Sequence, residues 1–288
     1  MEAAIFEKPG LENLKIKHDV DLPKITDHDV LIRVKMAGVN PVDHITVSGT
    51  LEIKPLPHIP GAETRVVEEV GEHVMTLKRD DRVIVHNKVF DGICDMCLGG
   101  DDMLCRNGGL IGVITNGGFA EYIAVPENNV FKIPDNTQWE LAASIPVTTL
   151  TPYNALRQAA LKIDEFLVIF GASGNTGMMA TQFGKKMGAK VIAVSKDNWI
   201  KDFGADYIIT EDDRVAEKVK DLTRGKMADV VLNSLGVQTW ENSFASLGLN
   251  GRWVTFGGLT GADVKLNVQS LYSKQIKLMV VMVELEKR

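Results

Sequence analysis

A chain of 288 residues has room for about two domains of ~100–200 residues each. Hydrophobic residues make up 45% of it, enough for packed cores, and the net charge of −6 comes from both signs interspersed. No basic stripe is present and no apolar run reaches ~18 residues, which excludes nucleic acid and a membrane span from the expected partners.

The start, Met1-Glu2-Ala3-Ala4-Ile5-Phe6, lacks a basic region followed by an apolar one, so no signal peptide is expected and a cytoplasmic location is. The first 145 residues read mostly as strands. Run 30–36 alternates partly at period two, and runs 63–70, 82–85 and 120–125 read likewise. Pro60-Gly61, Gly71, Gly117-Gly118 and Pro126 punctuate them.

Within this part lies Asp91-Gly92-Ile93-Cys94-Asp95-Met96-Cys97, followed seven residues later by Cys105. These are the only three cysteines in the chain. Thiolates at Cys94, Cys97 and Cys105 close around one Zn²⁺, with Asp91 supplying an oxygen as fourth ligand. Four protein ligands leave no open position, so such a zinc is structural. The competing reading is a disulfide plus one free thiol; clustered cysteines in an intracellular chain favour the metal.

From about residue 140 the rhythm changes. Segments 139–143 and 151–160 read as helical. Buried-strand runs then follow at 166–170, 191–194, 207–209, 230–232 and 253–256. Helix-like stretches at 176–187, 213–223 and 239–248 lie between them. Alternating β and α segments imply a parallel sheet covered on both faces.

Gly171-Ala172-Ser173-Gly174-Asn175-Thr176-Gly177 follows the first of these strands and opens a helix. Glycines there permit a tight turn and close approach to a pyrophosphate, which the helix N-terminus then meets with N–H groups. The spacing G-x-x-G-x-x-G departs from the usual G-x-G-x-x-G, so the strand–turn–helix context carries the assignment. The second strand ends at Ser195-Lys196, where an NAD site usually has an acidic residue. A hydroxyl beside a cation suits a 2′-phosphate, so NADP(H) is favoured over NAD(H), with Asp197 as the counter-argument.

The zinc-lobe spacing, the β-rich first half and the late glycine loop together resemble the medium-chain dehydrogenase/reductase superfamily, which contains zinc alcohol dehydrogenases and quinone oxidoreductases. Further stretches agree: Gly38-Val39-Asn40-Pro41-Val42-Asp43, Ile59-Pro60-Gly61-Ala62-Glu63, Asp80-Asp81-Arg82-Val83, Gly118-Phe119-Ala120-Glu121-Tyr122 and Ser234-Leu235-Gly236. The resemblance covers nearly the whole chain. It implies an α/β protein with a GroES-like β-rich domain over 1–145, a Rossmann doubly wound parallel-sheet domain over 146–288, and an active site in the cleft between them. It also implies that Ser234, Leu235 and Gly257 join 171–177, Ser195 and Lys196 in holding the cofactor.

Alcohol dehydrogenases of this family hold a catalytic zinc. By motif, its ligand positions here are Asn40, Ala62 and Val147, none of which replaces a thiolate or imidazole. His44 and His58 match no ligand position. The expectation is one structural zinc and no catalytic zinc. The resemblance then implies hydride transfer from NADPH to a quinone or an α,β-unsaturated carbonyl. Asn40 would hydrogen-bond near the nicotinamide or the acceptor oxygen; a plain turn-capping role is its alternative. Asp43 would position the loop, and Thr148 and Thr149 would border the nicotinamide. Many quinone reductases carry an arginine where this chain has Val47, which leaves the substrate open.

Family members run on for some tens of residues beyond the last Rossmann strand, which the segment through Leu278 fits. Codons can be chosen for Met279–Arg288 so that a shifted frame reads G-S-N-G-G-T-R-K-E, a family-like continuation. The expectation is therefore a C-terminus shortened by a frameshift, against a chosen boundary or a natural short form. A homodimer or tetramer is expected, with pairing through the last strand. The competing functions are a zinc-dependent alcohol dehydrogenase with unexpected ligands and a nucleotide-binding remnant without turnover.

Overall fold

The computed structural model describes residues 1–61, 67–212 and 214–281. They form two compact units, the first running from Met1 to Val147 and the second beginning at Thr148.

In the first unit, β1 (Ala3–Ile5) pairs antiparallel with β2 (Lys15–Lys17). β3 (Asp29–Arg33) is followed by α1 (Pro41–Ser48) and β4 (Val67–Val70). Next come β5 (Val83–Val85), β6 (Lys88–Val89), α2 (Asp95–Leu98) and β7 (Gly109–Leu110). β8 (Tyr122–Pro126), β9 (Val130–Lys132) and α3 (Trp139–Ser144) complete the unit. β3 lies between β4 and β8, and β5 pairs with β9, all antiparallel. Alternation along β3, β5 and β8 sends Val30, Ile32, Val83, Val85, Ile123 and Val125 into one core. β6 and β7 close antiparallel beneath the cysteine excursion.

The expected strand over 30–36 ends at Arg33, and that over 63–70 is described only for Val67–Val70; residues 62–66 lie outside the described residues. Helix α1 has no counterpart among the expected elements. Asn40 is its N-cap, Pro41 occupies the first turn where a missing N–H costs nothing, and Gly49 ends it at φ 85°.

The second unit opens with α4 (Leu150–Gln158), β10 (Phe166–Phe170), α5 (Asn175–Lys186) and β11 (Lys190–Val194). β12 (Tyr207–Ile209), α6 (Val215–Leu222), β13 (Ala228–Asn233) and α7 (Trp240–Ala245) follow. β14 (Leu247–Thr255), α8 (Val268–Lys274) and β15 (Lys277–Val280) end the described chain. The six strands form one parallel sheet in the order β12-β11-β10-β13-β14-β15. Alternate residues of β10 serve opposite faces. Leu167 and Ile169 pack with Leu156 and Ala180 of α4 and α5, whereas Val168 and Phe170 pack with Val215 and Val219 of α6. This is the doubly wound arrangement that the β/α rhythm implies.

The expected helix over 239–248 stops at Ala245, and the expected strand over 253–256 starts at Leu247. Leu247 pairs with Ala228, and a register shift then carries the ladder to Arg252 opposite Val230, so sheet pairing overrides helix propensity there. Among the described residues, no helix is long and apolar enough to cross a membrane.

Candidate active site and metal centre

The cysteine excursion is built from contacts close in sequence. Sγ of Cys94 lies 3.6 Å from that of Cys97 and 3.9 Å from that of Cys105. With Zn–S near 2.3 Å, a tetrahedral edge is about 3.8 Å, so the thiols already stand at coordination spacing. The ligand atoms of Asp91, Cys94, Cys97 and Cys105 all lie within 4.8 Å of one another. Among the described residues this is the one such group of three or more.

Asp91 Oδ1 accepts the N–H of Cys94 and of Ile93, and Oδ2 accepts from Asn107 Nδ2 at 2.6 Å. These bonds, the Cys94 N–H foremost, hold its carboxyl well below the usual carboxylate range. Backbone N–H groups, that of Arg106 first, pull the Cys94 thiol down, whereas desolvation and then the neighbouring Cys94 and Cys105 thiols push Cys97 up to about 12. Arg106 grips Asp95 in a two-pronged pair, Nε to Oδ1 at 2.5 Å and a terminal nitrogen to Oδ2 at 2.6 Å. Three thiols and a preformed carboxylate are a donor set that fits Zn²⁺.

The catalytic-zinc positions are different. Asn40 is buried, and its N–H donates to Asp43 Oδ2 at 2.7 Å while its side chain accepts the Asp43 N–H, the reciprocal arrangement of a capping box. Capping is thus a role Asn40 has here. Burial pushes the Asp43 carboxyl up to about 6, against the N–H groups of Asn40 and Gly61. Val147 is buried and aliphatic; Ala62 and Glu63 lie outside the described residues. His44 is exposed. His58 is buried with Nε2 3.0 Å from the Gly112 carbonyl, and burial lowers its pKa, so it serves as a neutral core residue. Val47, where the arginine would stand, fills a small core with Phe6 and Ile53. This donor set does not fit a second zinc.

Thr148 and Thr149 sit in a π-helical turn over Ile145–Thr149 that joins α3 to α4. Pro146 lacks an N–H and its ring would crowd the carbonyl of Ala142, which a wider turn relieves. Periodicity carried no signal of this turn; the proline was the available clue.

In the second unit the expected cofactor residues lie at the carboxyl ends of four neighbouring strands. Gly171 leaves β10 at φ 69°, its carbonyl accepts the Gly174 N–H at 3.0 Å, and Gly174 caps α5. A Cβ on Gly177 would stand 2.2 Å from Gly171 O, so a bare backbone is required where helix meets turn. Ala172 and Gly177 are buried, Ser173 and Thr176 half-buried, and Gly174 and Asn175 exposed. The rim therefore offers first-turn N–H groups of α5 to an anion. Ser195 at the end of β11 is buried and its Oγ accepts the Asp197 N–H at 2.9 Å, so the turn takes up this hydroxyl and Lys196 is the exposed cation. Asp197 is exposed as well. Ser234 and Leu235 follow β13, and Gly257 follows β14 with its Cβ position 3.3 Å from Ser234 O. Asn233, which holds the loop after β13, and Thr260, which joins that loop to the one after β14, were not among the expected residues.

Known proteins resemble this chain over most of its length. An alcohol dehydrogenase GroES-like domain matches residues 26–135, and a zinc-binding dehydrogenase domain matches 176–287. An alcohol dehydrogenase of Geobacillus stearothermophilus is 37% identical over 268 residues, covering 89% of this chain and 77% of that protein. A quinone oxidoreductase of Sus scrofa is 30% identical over 278 residues, covering 94% and 76%. The solved structure of a thermostable alcohol dehydrogenase from Pyrobaculum aerophilum superposes with a TM-score of 0.89 at 40% identity, covering 97% of this chain and 83% of that one. The chain belongs to the alcohol dehydrogenase-like, medium-chain dehydrogenase/reductase superfamily of pyridine-nucleotide-dependent oxidoreductases.

Proposed function

We propose that this chain is a cytoplasmic NADPH-dependent reductase that passes hydride to a quinone or an α,β-unsaturated carbonyl without a catalytic zinc, and that it carries one structural zinc. The observation that carries this reading is the donor set on α1 and the π-helical turn: Asn40 is an amide in a capping box and Val147 is a buried aliphatic. Alkoxide stabilisation, which zinc supplies in alcohol oxidation, has no evident provider among these residues. Acceptors that are already electrophilic need less help. Asn40 is proposed to hydrogen-bond the acceptor oxygen, Asp43 to hold the start of α1, and Thr148 and Thr149 to border the nicotinamide.

The preference for NADPH rests on Lys196, the exposed cation beside the Ser195 turn, with Gly171–Gly177, Ser234, Leu235 and Gly257 forming the rest of the nucleotide site. A homodimer or tetramer is proposed through β15, an edge strand whose Val280 is 69% exposed.

The test is oxidation of NADPH and of NADH against panels of quinones, enones and aldehydes, together with metal content. The reading expects one zinc per chain, NADPH preference and turnover of quinones or enones. The relatives named alcohol dehydrogenase favour a second reading, a zinc-dependent alcohol dehydrogenase. That reading expects two zincs per chain and alcohol oxidation.

A further inference from the structure

The loop after β13 is tied to the sheet by one buried amide, and through Leu235 it is tied to the loop after β14. Asn233, the last residue of β13, is fully buried. Its Oδ1 accepts the Leu235 N–H at 2.9 Å and the Thr239 hydroxyl at 3.0 Å, and its Nδ2 donates to Ser243 Oγ at 2.9 Å. Ser243 Oγ also accepts from Trp253 Nε1 at 3.0 Å and donates to the Trp240 carbonyl at 2.9 Å. The amide is thereby locked between the loop on one side and the sheet and α7 on the other.

Beyond it the two loops join. The Leu235 carbonyl accepts both the N–H and the hydroxyl of Thr260, at 2.6 and 2.8 Å, and the Val237 N–H donates to the Gly261 carbonyl. The Leu235 side chain in turn covers Gly171: a Cβ built on that glycine would lie 3.2–3.4 Å from three Leu235 carbons. A hydrogen-bonded path therefore runs from the sheet interior through Asn233 to Leu235, and from there by packing to the first glycine of the β10–α5 turn. Ligands of open α/β sheets bind outside the carboxyl ends of the strands, where all these groups lie.

We infer that Asn233 is a positioning residue for the nucleotide: by holding the Leu235 N–H inward it sets Leu235 on Gly171 and fixes both loops at the cofactor edge. The inference rests on the glycine turn being the nucleotide site. Asparagine suits the position because one side chain must accept two hydrogen bonds and donate a third in a buried place. Aspartate keeps the two acceptances and loses the donation to Ser243. Alanine loses all three.

The test is titration of the 288-residue chain with NADPH and with NADH, followed by fluorescence, alongside thermal melts, for the natural chain, Asn233→Ala and Asn233→Asp. The expected result is that both variants melt lower, that Asn233→Ala raises the nucleotide Kd about tenfold, equivalent to ~1.4 kcal/mol, and that Asn233→Asp recovers most of the affinity. Should Asn233→Ala not fold, Asn233→Val serves the same comparison, since this truncation leaves no acceptor for the Leu235 N–H while its branched side chain suits a strand end. Lowered melting with an unchanged Kd in every folded truncation overturns the inference and reduces Asn233 to a structural role. Absence of nucleotide binding by the natural chain overturns the glycine-turn reading together with it, so the two failures are told apart.

Discussion

The cysteine lobe and the carboxyl edge of the six-stranded sheet both gather candidate ligand-binding groups, but by opposite means. In the lobe, Asp91, Cys94, Cys97, Cys105 and Asn107 come together over a short stretch of chain, held by turns and one exposed Asp95–Arg106 pair. Little apolar burial supports them, and Ile93 and Leu98 are more than three-quarters exposed. At the sheet edge, residues 171–177, 195–196, 233–235 and 257–260 come from strands far apart in sequence, each anchored by fully buried aliphatics such as Val168, Ile192 and Val231. A site gathered by local turns depends on its ligand for cohesion; a site gathered by a sheet is shaped before the ligand arrives.

The largest effect that bears on this contrast is expected from Cys97→Ser. Loss of one thiolate should drop zinc from one per chain toward none and open residues 91–107 to hydrogen exchange, while nucleotide affinity stays unchanged. Full zinc retention in Cys97→Ser, measured by elemental analysis, breaks the contrast on the lobe side.

The two aspartates sharpen it next. Asp91 and Asp43 each accept backbone N–H groups, yet Asp91 is pulled down and Asp43 is pushed up to about 6, because burial outweighs hydrogen bonding only at Asp43. An unfolded aspartate titrates near 3.9, so between about pH 4 and pH 6 the folded chain holds the extra proton. Ionising Asp43 then costs the folded state on the order of 2–3 kcal/mol. The natural chain should therefore lose stability relative to Asp43→Asn as pH rises through this window, with the difference levelling off above it. Parallel melting curves of the two proteins from pH 4 to 7 would sink the assignment.

Gly177→Ala tests the preshaped edge. Its new Cβ would meet Gly171 O at 2.2 Å and Ala172 Cα at 2.8 Å, so helix α5 must shift. A cost of roughly 1–3 kcal/mol in stability is expected, along with weakened nucleotide binding and unchanged zinc content. Calorimetry with and without NADPH reads both; native affinity in this variant would show that the turn is not preshaped.

The smallest effect belongs to Arg106→Ala. The Asp95–Arg106 pair is exposed and screened by solvent, so its removal should barely move the melting temperature and should leave zinc bound. Loss of zinc on this change alone would mean that the surface pair, and not the ligand set, holds the lobe.

Much of this was legible in the sequence where the signal is local. The cysteine spacing, the glycine turn and the strand cores of β10 and β12 are written in consecutive residues, and the sheet forms over 166–170 and 207–209 as the apolar runs imply. Less legible were features set by distant partners. The early start of β14 depends on Leu247 meeting Ala228. The π-helical turn at Ile145–Thr149 depends on how a proline-bearing helix resolves its missing N–H.

By itself the sequence determined which chemistry is available: a donor set that fits one zinc, no thiolate or imidazole at Asn40 and Val147, and glycines at a strand-to-helix turn. These follow from side-chain identity and short-range spacing. Only the tertiary structure decided which polar groups are occupied and which are presented. It turned Ser195 into a turn-holding hydroxyl and left Lys196 outside, raised the pKa of Asp43 by burying it, and made Asn233 the clasp between the β13 loop and α7. The bonds made by the side chains of Ser195 and Asn233 are local along the chain, but the burial that makes them count comes from residues tens of positions away, and no local pattern encodes that.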